Sequence, residues 1–76
     1  SFDTRIMKFI LSLLICSSVA NECMPPYQWP ETFPTKYDCL MFGYDESKNK
    51  MLEIGKSDVN KHGMFIRFIC APDNSI

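Results

Sequence analysis

Apolar positions fall in three blocks along this 76-residue chain, and each block has its own period. The first is nearly continuous: Phe9, Ile10, Leu11, Leu13, Leu14, Ile15 and Cys16, interrupted only by Ser12. The second repeats at helical spacing. At 100° per residue, Tyr37, Leu40, Met41, Tyr44, Met51 and Leu52 fall within an arc of about 120°, with Asp45, Glu46, Asn49, Lys50 and Glu53 opposite. Thr35 with Asp38 three residues on makes a weak capping box, Pro34 suits a helix entrance, and Gly55 stands where a glycine ends a helix. These signals predict a helix over Lys36–Ile54. Gly43 weakens it, and its missing side chain leaves room for a close neighbour. Ser57 to Gly63 then reads as one capped helical turn. The third block, Met64 to Cys70, is rich in β-formers and apolar on both faces, so it predicts a strand sandwiched between layers. Residues 71–76 are polar and are expected to fray.

Residues 22–34 join the first block to the helix and carry Pro25, Pro26, Pro30 and Pro34. Proline fixes φ and removes a donor, so an extended, bent polyproline arm is expected in place of a helix or a central strand. Tyr27, Trp29 and Phe33 alternate along one side of the arm. They either fold back over the helix or, for Tyr27 and Trp29, form a recognition arm. A lone C-terminal strand needs a partner for its ladder, and residues 23–29 are the long extended segment on offer.

The first block has the flanks of a secretion signal. Met7 and Lys8 precede it, and Ser17-Ser18-Val19-Ala20 follow, placing Ser18 and Ala20 where a signal peptidase reads small residues. The expected division is therefore 1–20 as upstream residues plus signal peptide, with the start at Met7 and cleavage after Ala20, and 21–76 as a small secreted domain. Asp3 is foreign to a signal's basic end, so residues 1–6 read as upstream sequence. The apolar run is shorter than the roughly 20 residues a membrane helix needs, and neither Cys16 nor Cys23 follows the small residue that lipid attachment wants. The expected fold class is α+β: a small disulfide-stapled domain with one long amphipathic helix, a short helical turn and a C-terminal strand, preceded by an N-terminal signal helix.

A net charge of −1 with no basic cluster lacks the footprint of a nucleic-acid binder. Export places the cysteines in an oxidising compartment, where bridges persist. Loss of Cys16 with the signal would leave Cys23, Cys39 and Cys70, hence one bridge and one odd thiol able to join two chains covalently. Sixteen residues of helix from Cys39 to Gly55 span about 24 Å. A strand from Met64 to Cys70 returns about 20 Å, which brings Cys70 level with Cys39. Against this pairing, Cys39 projects away from the apolar stripe, on the side of Phe42. Cys39–Cys70 is the first expectation and Cys23–Cys39 the alternative.

Reactive constellations are scarce. His62 stands beside Gly63 in a turn, where an exposed polar residue is the ordinary outcome. No Cys-x₂₋₄-Cys pair is present to nucleate a zinc site, and no glycine loop suits a phosphate. No catalysis, metal or cofactor is expected. The ordered motifs Cys23-Met-Pro-Pro-Tyr-Gln-Trp-Pro, Tyr37-Asp-Cys-Leu-Met-Phe-Gly-Tyr44, Glu53-Ile-Gly, Asp58-Val-Asn-Lys and Phe65-Ile-Arg-Phe-Ile-Cys70, behind the Met7-Lys8 leader, resemble small secreted proteins of marine bacteriophages and marine bacteria. The resemblance spans the chain from Met7 onward and implies export from a bacterial host, with no activity attached. The expected function is a small exported, disulfide-stabilised binding or envelope-modulating protein that meets an unidentified envelope or extracellular protein. The alternative is a membrane-retained peptide acting on the host envelope through an uncleaved signal helix.

Overall fold

The computed structural model describes residues 8–73, so residues 1–7, including the expected start at Met7, and residues 74–76 of the expected fraying tail lie outside it. The described chain is a small α+β fold of two helices on a four-stranded antiparallel sheet, closed by two disulfides. Its order is β1 (Lys8–Ser17), β2 (Glu22–Cys23), β3 (Tyr27–Phe33), α1 (Lys36–Ile54), α2 (Lys56–His62) and β4 (Met64–Asp73).

Every strand pairs antiparallel with β1. Along one side β4 runs its full length, from Lys8 opposite Asp73 to Ser17 opposite Met64. Along the other, β2 meets Cys16 and Ser17, and β3 meets Phe9 to Leu13. β3 and β4 are thus parallel to each other with β1 between them, and the two helices cross over one face in a split β-α-β arrangement. The apolar run read as the heart of a signal helix is a strand here. A buried central strand and a signal core are both short continuous apolar runs, and periodicity cannot tell them apart. The partner of β4 is accordingly this run, where residues 23–29 had been expected.

The proline arm is likewise an edge strand rather than polyproline. Pro25 and Pro26 separate β2 from β3, and the register shifts so that Trp29, Pro30 and Glu31 stand opposite Leu11 alone. Proline is tolerated at such a bulge on an edge because no ladder donor is needed there.

Local signals set the helix ends. Thr35 has extended backbone and its Oγ1 accepts from the Asp38 amide at 3.0 Å. Gly55 (φ 94°) ends α1, with its amide donating to the Met51 carbonyl, and Gly63 (φ 60°) closes α2 in the left-handed region that glycine tolerates.

The rotation of α1 differs from the one its apolar stripe predicts. Tyr37, Tyr44 and Leu52 are 69%, 63% and 68% exposed, while Cys39 and Gly43 are the buried positions. The cause is specific. Cys39 is bonded to Cys70 on β4, and Phe42 packs against Trp29 and Phe33 at tilted angles with ring centroids 5.1 Å away in each case. At Gly43 the Phe68 ring occupies the space a Cβ would take. A crosslink and a ring seated on a glycine outweigh the scattered transfer energy of the outer stripe. Gly43→Val is therefore expected to destabilise by about 2 kcal/mol or more, from overpacking against Phe68. A denaturant midpoint equal to that of the parent would show the ring to be free to move aside.

Candidate functional site

The core gathers on the helix-facing side of the sheet. Leu11 (0% exposed), Leu13 (4%) and Cys39 (0%) form its centre, with Phe9, Trp29, Phe33, Phe42, Ile66, Phe68 and Cys70 packed around them. Near Cys39 and Phe42 the helix closes this face. Farther along, α1 turns charged side chains toward the sheet and leaves an open groove of about 440 Å³. Its floor is Leu13 and Ile15 of β1 and Ile66 of β4. Met24, Pro25, Tyr27 and Trp29 form one wall, and Glu46 and Lys50, one turn apart on α1, form the other. The volume and the mostly apolar, aromatic lining with two polar groups fall in the ordinary range for a small binding site.

Trp29 works on both sides of this wall. It packs on the core through a tilted contact with Phe42, and it meets Tyr27 in a T-shaped contact with centroids 6.0 Å apart. Tyr27 is 56% exposed and free to touch a visitor. The two readings of the arm are thus divided between residues: Trp29 and Phe33 cover the helix, and Tyr27 stands at the groove. On the opposite wall, Lys50 Nζ lies 3.4 Å from Glu53 Oε1, an exposed pair of the kind that contributes little to stability. Lys50 is thereby held at the rim at small cost to any group that would displace Glu53.

The cysteines are paired as Cys16–Cys23 and Cys39–Cys70, and none is free. The expected odd thiol is absent because Cys16, set aside with the signal, is the partner of Cys23; the alternative Cys23–Cys39 bridge is not formed, and no spare sulfur remains for a covalent dimer. The turn after β1 is tied to α2. Ser17 Oγ donates to the His62 carbonyl at 2.6 Å, and Ser18 donates to the Gly63 carbonyl through its amide (2.9 Å) and its hydroxyl (3.1 Å). These bonds satisfy carbonyls that the end of a helix leaves open. His62 thus enters through its backbone, with its side chain exposed.

Among the described residues no cluster of three metal-ligating side chains occurs, and no helix is long and apolar enough to cross a membrane. Comparison with protein-family models, curated proteins and solved structures finds no match to this chain. Of the residues that line the groove, the sequence singles out Tyr27 and Trp29 and not Leu13, Ile15, Glu46 or Lys50. Leu13 and Ile15 belong to the segment expected to leave, and Glu46 and Lys50 to the helix face expected to be solvated.

Proposed function

We propose that this chain is a small disulfide-stabilised binding module that works in an oxidising compartment, outside the cytoplasm, and holds an apolar or aromatic side chain of an envelope or extracellular protein in the groove beside Tyr27. The observation that carries this reading is the open apolar groove between β3 and α1, with Tyr27 exposed at its wall and the Glu46/Lys50 pair opposite. Two disulfides in so small a fold accord with such a compartment.

The chain has a single tryptophan, so Trp29 emission reports directly on the groove. Titration with the apolar dye anilinonaphthalene sulfonate is expected to quench Trp29 and to saturate at one dye per chain. Tyr27→Ala should weaken that binding at least tenfold while leaving the thermal midpoint near that of the parent, because Tyr27 is mostly outside the core. A photo-crosslinker at position 27 should give one discrete envelope adduct, displaced by the dye, and the same group at Arg67 on the opposite sheet face should give none. Equal adducts from both positions would refute the groove as the binding surface.

A further inference from the structure

The segment that carries the marks of a removable signal is also the centre of the fold. Of the four buried apolar residues among those described, Leu11, Leu13 and Cys16 come from β1. β1 separates β3 from β4, and no other described strand lies between them. Removal of residues 1–20 would leave β3 and β4 facing each other across a missing strand, with Phe33, Trp29, Phe68 and Ile66 stripped of their cover. It would also open the His62 and Gly63 carbonyls that Ser17 and Ser18 satisfy, and the groove floor at Leu13 and Ile15. The small residues a peptidase would read, Ser18 and Ala20, sit in an exposed turn bracketed by Cys16 and Cys23.

We propose that the signal-like segment is retained in the working protein as its central strand, and that the Cys16–Cys23 disulfide is the lock that keeps it in place even when the turn between them is cut. Hydrolysis of the Ala20–Asn21 bond by a peptidase of small-residue specificity would add one water, leaving a carboxylate on Ala20 and an amine on Asn21. The sulfur–sulfur bond would be untouched. The product is then a two-chain protein with the same fold, in which the N-terminal piece stays by ten-residue pairing with β4 and by one covalent bond.

The test is intact mass, with and without reductant, on the full chain recovered from a bacterium with working export. It involves no groove ligand, so the groove can fail to bind while the segment is retained; loss of the segment would take the groove floor with it. A non-reduced mass that includes residues 8–20 and two disulfides supports retention, whether as one chain or as a chain plus one water that splits on reduction. A folded product that begins at Asn21 and lacks the N-terminal piece overturns it, and four reduced thiols overturn the lock. Elastase digestion isolates the lock itself. The parent, cut in the 18–21 turn, should elute as one particle until reduced, while a Cys16→Ser/Cys23→Ser variant cut at the same place should shed the N-terminal piece at least tenfold faster. Equal retention by the two proteins refutes a locking role.

Discussion

Replacing Cys39 and Cys70 together by serine is expected to lower the unfolding free energy by about 3.7 kcal/mol. The bridge spans 31 residues, and in the chain-entropy model a loop of that size removes roughly this much freedom from the unfolded chain. The Cys16–Cys23 bridge, with a separation of 7, contributes about 2.4 kcal/mol on the same scale. A chain of this length carries roughly 4–11 kcal/mol in total. Loss of the longer bridge therefore removes between about a third and nearly all of that stability, and loss of both removes about half of it at the upper end of the range and all of it at the lower. The two bridges also act at different places. Cys39–Cys70 fixes the rotation of α1 over the sheet, so its removal should let Tyr37 and Met41 compete for the core and broaden the Phe68 and Trp29 ring signals. Urea unfolding of the double serine variant, followed by near-ultraviolet dichroism, measures both effects. A loss below 1 kcal/mol with sharp aromatic signals would mean that Phe42, Gly43 and Phe68 alone hold the helix.

The ends of the two helices and the start of β4 were legible because their signals are local, whereas Ala71 to Asp73, expected to fray, are paired with β1. Thr35, Gly55 and Gly63 act through their own backbone and their nearest neighbours, and they end elements at the positions the sequence predicts. The level placement of Cys70 beside Cys39 also follows from helix rise and strand rise alone. What the sequence did not disclose is long-range. Which side of α1 meets the sheet is decided by partners distant along the chain, Cys70 and Phe68, acting on two small residues that carry little weight on a helical wheel. Within the described fold, Phe9 to Cys16 form a strand because a matching strand is present beside them. Met64 to Asp73 supplies it, apolar on both faces and of equal length. The expected sandwiching of that strand does not occur: Ile66, Phe68 and Cys70 pack on the core, but Phe65 and Ile69 on the other face are 39% and 56% exposed.

The insertion of β1 also explains why the groove was invisible in the sequence. Its floor needs β1 and its charged wall needs α1 turned so that Glu46 and Lys50 approach the sheet. Both features arise from the same rotation and the same strand insertion, so a reading that misses one misses both. Tyr37, Met41 and Leu52 remain exposed on α1 as a consequence, while Tyr44, 63% exposed, keeps an edge-to-face contact with Phe68 at 4.8 Å.

Leu11→Ala should be the most damaging single truncation of an aliphatic side chain, at about 3–5 kcal/mol. Leu11 is fully buried, stands opposite Cys70 in the ladder, and belongs to a core whose members outside β1 come from three other elements. The site has little freedom to collapse: β1 is held on both sides by its neighbours, and Cys70 is tethered to α1, so a cavity left by Leu11 persists. Ile10→Ala offers the matched comparison, because the neighbouring side chain points to the uncovered face of the same strand and is half-buried. Its loss should cost about 1 kcal/mol, close to the transfer energy of the partly exposed atoms removed. Thermal and urea unfolding of the two variants, made in the full chain, give the ratio. A threefold or larger difference assigns residues 8–17 to the folded core with the helix-facing side inward. Near-zero cost for both would mean that the segment lies outside the cooperative unit, and β4 would then need another strand beside it.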